Sequence, residues 1–190
     1  MKQEKLDEKL HEAIQNGDLA AAGKLIKKGA ETKPHYLIAA IDAGDIEQVK
    51  FWVGTGMSLN QVTNKLTGET FISRAVFANK EAILKILVNS GADVAFADNA
   101  LAKVRRGTDI NSLLMTSLLN DNLDITQYLL DNGAKPTSDF LDAIDFKEKF
   151  LRAGCLSIAL QEGRFREVRR EFHDIDVARR AKDKEFGQGK

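Results

Sequence analysis

The residues of this chain whose types suit catalysis or metal binding are three histidines, one cysteine and a run of acids. His11, His35 and His173 lie far apart, and none has a second His or Cys at ligand spacing. His173 and Asp174 pair an imidazole with a carboxylate in sequence only, because consecutive residues on a helix point apart. Cys155 precedes Leu156 in an apolar stretch, the setting of a buried structural thiol. Asp139, Asp142 and Asp145 recur at every third residue, but a calcium loop needs a Gly and a terminal Glu at fixed offsets, so they read as a solvated helix face. No Gly-rich phosphate loop is present. Arg105-Arg106 beside Gly107 form a local basic spot in a loop. These readings lead to no catalytic residue, no metal and no cofactor.

Bulk composition narrows the partner. Lys and Arg number 28 and so do Asp and Glu, whereas phosphate binding needs a clustered basic excess; nucleic acid is not expected. The single cysteine forbids an internal disulfide and suits a reducing, cytoplasmic setting. Residues 1–9 are charged and lack an apolar core, so no secretory signal is expected, and no apolar run approaches the ~20 residues of a membrane span. A hydrophobic content of 43% is enough for a core.

The elements that must build any binding face show themselves as a repeat. Gly17, Gly44, Asn79 and Asp121 each open a stretch that closes twelve residues later on Gly29, Gly56, Gly91 and Gly133. A fixed internal offset marks stacked supersecondary units. In the second copy, Leu37, Ala40 and Ile41 recur at helical spacing before Ala43-Gly44-Asp45 interrupts. Gly44 permits a tight turn and Asp45 caps the next helix. Ile46, Val49, Trp52 and Val53 then form one apolar stripe, and Gly56 ends the helix in the left-handed conformation. Each unit is therefore two short helices that cannot bury their apolar faces alone and must stack on neighbours. The stripes Leu25/Ile26, Trp52/Val53, Leu87/Val88 and Leu129/Leu130 are expected to be buried between units.

The chain resembles the ankyrin-repeat family. The resemblance rests on Gly91-Ala92-Asp93-Val94, on Gly-Ala after two other units, and on Gly68-Glu69-Thr70 leading into Phe71-Ile72-Ser73-Arg74-Ala75. In that last stretch Thr70 and Ala75 match the family pattern, while Phe71 and Ser73 stand where the family places Pro and His. A fifth unit is expected from Cys155-Leu156-Ser157-Ile158-Ala159-Leu160 through Val168 to Phe172. The closing glycines are 27, 35 and 42 residues apart, so there is little room for a finger after the first unit and an enlarged connection at about 95–111. Residues 137–153 read as helix, as a shortened repeat or an insertion. Tetratricopeptide repeats are the alternative architecture, without their aromatic pattern. The resemblance implies an all-α, right-handed solenoid of about five helix-pair units with short finger loops over 1–173, followed by a polar tail at 174–190.

The same resemblance implies a function. It makes the chain a non-enzymatic, monomeric protein-binding module of the cytoplasm. The alternatives are a specific inhibitor or immunity-like protein that occludes a partner enzyme, and a bacterial effector scaffold. Partner contact in such arrays comes from finger tips and from the inner-helix positions just before each opening residue. Those positions include Asp42, Phe77, Leu119, Asn120 and Gln161, and the finger and long connection add Glu69, Arg105, Arg106, Asp109 and Asn111. Phe77 and Leu119 are apolar where solubility alone favours polar residues, so an apolar patch flanked by the two arginines is expected.

Overall fold

The computed structural model describes residues 2–104, 112–136 and 140. Helices α1 (Lys2–Gln15), α2 (Leu19–Lys27), α3 (Pro34–Ala43), α4 (Ile46–Gly54), α5 (Phe71–Phe77), α6 (Glu81–Asn89), α7 (Val94–Val104), α8 (Leu113–Leu119) and α9 (Leu123–Asp131) come in that order. Among the described residues, extended pairing is confined to one antiparallel bridge, Asn64 to Glu69. The expected fifth unit, Cys155, the stretch 141–153 and the tail lie outside the described residues.

The twelve-residue offset has a direct geometric origin. Gly17, Gly44, Asn79 and Asp121 all adopt left-handed backbone, with φ of 71°, 73°, 55° and 55°. The following amide then reaches back five residues in every copy: Asp18 N to Ala13 O, Asp45 N to Ala40 O, Lys80 N to Ala75 O and Asn122 N to Ser117 O. This closure satisfies carbonyls that the helix end leaves orphaned. The second helix of each pair is nine residues long, and another left-handed Gly ends it. Where Ala follows that Gly, its amide donates to the buried or half-buried leucine five residues earlier, as in Ala92 N to Leu87 O and Ala134 N to Leu129 O. Ala30, Ala92 and Ala134 are themselves buried, so the Gly-Ala ending is a capping motif with its apolar contact in place.

The starts of the helices are fixed as locally. Asp18, Asp45 and Asn122 accept from Ala21 N, Gln48 N and Ile125 N at 2.8, 3.0 and 2.9 Å. Thr70 and Ser73 form a reciprocal capping box, with Ser73 N donating to Thr70 Oγ1 and Thr70 N to Ser73 Oγ. Ser73 thus holds the N-terminus of α5 from the position where the family pattern has His.

Pairs α1–α2, α3–α4, α5–α6 and α8–α9 stack side by side. The first helices make one row, α3 on α5 on α8, and the second helices another, α4 on α6. Trp52, Leu87 and Leu129 are fully buried, whereas Val53, Val88 and Leu130 are half-buried against the core. Leu25 and Ile26 are both half-buried, which corrects the expectation that all four stripes are buried between units. The reason is position: the first pair has a neighbour on one side only. Trp52 stacks on Tyr36 at 5.1 Å and meets the edge of Phe51 at 5.0 Å.

The connection at 95–111 holds a helix, not a loop, over most of its described length. Val94, Ala97 and Leu101 bury one stripe of α7, which packs on α5. Asp98 fastens it to the next unit by accepting from Leu113 N at 2.9 Å. Burial pushes the Asp98 carboxyl above its ordinary range, and the Leu113 amide opposes that shift.

This packing has two measurable consequences. Trp52→Ala should cost about 3–5 kcal/mol, as for other large buried aromatics, and native Trp52 emission should be blue-shifted and closed to quenchers; red-shifted, quenched emission contradicts the burial. At Asp98 the folded chain keeps a proton that the unfolded chain releases, so this residue's effect on stability worsens as pH rises from the ordinary carboxylate pKa of about 3.9 towards the raised value. Asp98→Asn keeps an acceptor for Leu113 and removes that loss. The variant should melt at or above the wild-type temperature at neutral pH, with the difference shrinking in acid; a clearly lower neutral melting temperature contradicts the assignment.

Candidate functional site

The C-terminal ends of α3, α5 and α8 lie side by side and carry Asp42, Phe77, Leu119 and Asn120. Asn120 Nδ2 donates to Val76 O at 3.2 Å, which fastens the end of α8 to the end of α5. Below that contact, Asn122 Nδ2 donates to Asn79 Oδ1 at 2.8 Å, so the two left-handed turns are stitched directly. Phe77 is half-buried against the core, and Leu119 is 63% exposed. The expected apolar pair therefore divides its roles: Phe77 packs half-buried against the core, and Leu119 is the exposed one.

Asp42 and Glu69 are spoken for within the chain. Both oxygens of Asp42 accept from Arg74, Oδ1 from Nε at 2.6 Å and Oδ2 from Nη2 at 2.8 Å. Glu69 Oε1 accepts from Arg74 Nη1 at 3.2 Å. The bidentate Asp42 contact, joined by Glu69, raises the Arg74 pKa above its already high value, and the guanidinium is a permanent cation. This cluster bridges α3, the finger and α5 on the same side as Phe77. Sequence reasoning singled out the two acids but missed Arg74, whose place one turn into α5, four residues after Thr70, was the available signal. Arg105, Arg106, Asp109, Asn111 and Gln161 lie outside the described residues.

The finger between α4 and α5 is a folded element. Thr63 N and Thr63 Oγ1 both donate to Glu69 O, at 2.7 and 3.0 Å, and Gly68 N donates to Asn64 O at 2.9 Å. Asn60 anchors its base across the third unit, donating to Gly91 O at 3.1 Å and accepting from Asp93 N at 2.8 Å. At Gly68, φ is 71° and the Ala100 carbonyl of α7 leaves no room for a Cβ. Only glycine lets the finger seat on α7 this closely.

No group of three or more His, Cys, Asp or Glu side chains converges as a metal site among the described residues. No helix among them is long and apolar enough to cross a membrane. What the surface offers is shape, apolar side chains and fixed charge, the means by which one protein holds another.

Comparison with known proteins agrees with this architecture. No curated protein matches the chain. The family model described as ankyrin repeats (3 copies) matches residues 37–140, more than half of the 190 residues and a span that runs from within α3 through α9. Such repeats are generally protein–protein interaction modules. The paired helices, their left-handed closures, the finger and the matched span together make this chain a member of the ankyrin-repeat family.

Proposed function

We propose that the protein is a non-enzymatic, monomeric binding module of the cell interior, which captures another protein on the face formed by the ends of α3, α5 and α8 and the adjoining finger. The observation that carries this reading is Leu119. A large apolar side chain that is 63% exposed gains nothing for the isolated chain and is well suited to be covered by a partner. It ends α8, whose C-terminal end Asn120 fastens to the end of α5, the helix that carries the half-buried Phe77. A preorganised apolar anchor loses little entropy on association. The Arg74 cluster on α5 and α3 presents a fixed cation whose two acids are already oriented, which supports register with a polar partner more than raw affinity.

Whether capture blocks an enzyme's active site or assembles several proteins separates the inhibitor reading from the scaffold reading. Affinity capture from the native source, read by mass spectrometry, distinguishes one stoichiometric partner that loses its activity from several that do not. Phe77→Ser with Leu119→Ser should weaken capture of that partner by about tenfold or more, the loss expected on truncating a hot-spot pair. Leu119→Ser alone should leave the melting temperature unchanged. Undiminished capture by the double variant would rule this face out as the binding site.

A further inference from the structure

The finger and α7 enclose a groove whose lining residues are separate from Phe77, Leu119 and the Arg74 cluster. Its volume is about 440 Å³, within the range of sites that take an anchoring side chain or small ligand. Val62, Phe96, Ala100 and Val104 supply its apolar lining, and Lys65 and Lys103 stand at it from opposite walls, the first on the finger and the second on α7. Five large apolar side chains are exposed among the described residues, and Val62, Leu66 and Val104, all on these two elements, are three of them. Leu66, 87% exposed, sits on the finger beside Lys65. α7 is thus apolar on two sides: Val94, Ala97 and Leu101 turn inward, and Phe96, Ala100 and Val104 line the groove.

The charges indicate the occupant. Neither Lys65 nor Lys103 has an ion-pair partner among the described residues. The nearest acids in sequence are engaged elsewhere, Glu69 by Arg74 and Asp98 by Leu113 N. The walls are also held in place, because the finger seats on the α7 backbone at Gly68. A preformed apolar groove between two ammonium groups that no described residue neutralises is complementary to a bulky apolar side chain with carboxylates on either side of it.

We propose that the finger–α7 groove is a second docking site, which takes an acidic segment of another protein by burying one apolar residue between Val62 and Val104 while Lys65 and Lys103 pair with flanking carboxylates. The proposal rests on the reading of the chain as a protein-binding module and adds a separate surface and a partner chemistry to it.

The test selects a displayed library of random short peptides on the immobilised full-length chain, and measures synthetic versions of the enriched sequences by fluorescence anisotropy. Enriched peptides should carry Asp or Glu on both sides of Leu, Ile, Phe or Trp. Val62→Ser with Val104→Ser, and separately Lys65→Glu with Lys103→Glu, should each weaken binding by about tenfold or more, and added salt should weaken it further in wild type than in the charge-reversed variant. Phe77→Ser with Leu119→Ser should leave it unchanged. All four groove substitutions are at the surface, so melting temperatures should match wild type. Absence of enrichment, enrichment of neutral or basic peptides, or indifference to both groove variants overturns the proposal. Sensitivity confined to the Phe77/Leu119 variant overturns it while leaving the first face standing. A wild-type dimer in sedimentation that the Val62/Val104 variant dissociates assigns the groove to a second copy. Faster hydrogen exchange within residues 141–190 of that variant assigns it to the chain's own C-terminal part. Either result overturns the proposal.

Discussion

Helices of seven to fourteen residues, the range among the described residues, do not persist alone in water. What lets the paired helices persist is the residue that turns the chain after each of them. Left-handed backbone at Gly17, Gly44, Asn79 and Asp121 reverses direction within three residues and lays the second helix of each pair against the first. The same conformation at Gly29, Gly56, Gly91 and Gly133 releases the chain towards the next unit. Every interface between units depends on these reversals. A shift of one residue at any of them would rotate a nine-residue helix by about 100° and turn its buried stripe, such as Val49 and Trp52, towards solvent.

Glycine is the easy solution at such positions, but two of the openings use Asn79 and Asp121, the residue types that tolerate left-handed backbone best after glycine. Their side chains bring a gain glycine cannot, since Asn79 accepts the hydrogen bond from Asn122 that stitches the third and fourth units. The first two openings, with glycine, have no side chain to offer at that point. The polar bonds between units run through neighbouring residues instead, as in the Arg74 to Asp42 pair. Inter-unit contact is thus apolar in the middle and polar at the turns, and the turn ends of α3, α5 and α8 are tied by side-chain hydrogen bonds. A binding face there comes already ordered.

Much of this was legible in the sequence because it is local. A nine-residue helix with one capping residue before it, one after, and a left-handed residue at each side requires the twelve-residue offset, and Gly-Ala reports the buried alanine of the cap. The Asp45 cap and the Gly56 closure were readable for the same reason. What the sequence hid is what depends on neighbours. Residues 95–111 read as an enlarged connection because the closing glycines there are 42 residues apart; that 95–104 form a helix is decided by burial of Val94, Ala97 and Leu101 on α5 and by the Asp98 tie to Leu113. The groove depends on that helix, and so Val62, Lys65, Phe96 and Val104 went unnoticed, although the second apolar line Phe96, Ala100, Val104 was present as a signal. Asp42 and Glu69 were identified as surface acids, but their capture by Arg74 is a three-dimensional fact.

The units stand by mutual support and not one by one. Native-state hydrogen exchange across a denaturant series tests this most directly, because it reads the opening free energy of each helix separately. Helices α3 to α6, covered on both sides, should exchange through one shared, largest opening, while α1 and α2, covered on one side, should open at measurably lower cost. If each pair instead opens independently, or α1 and α2 are protected as strongly as α5 and α6, the stack is not cooperative and mutual support is not what holds it.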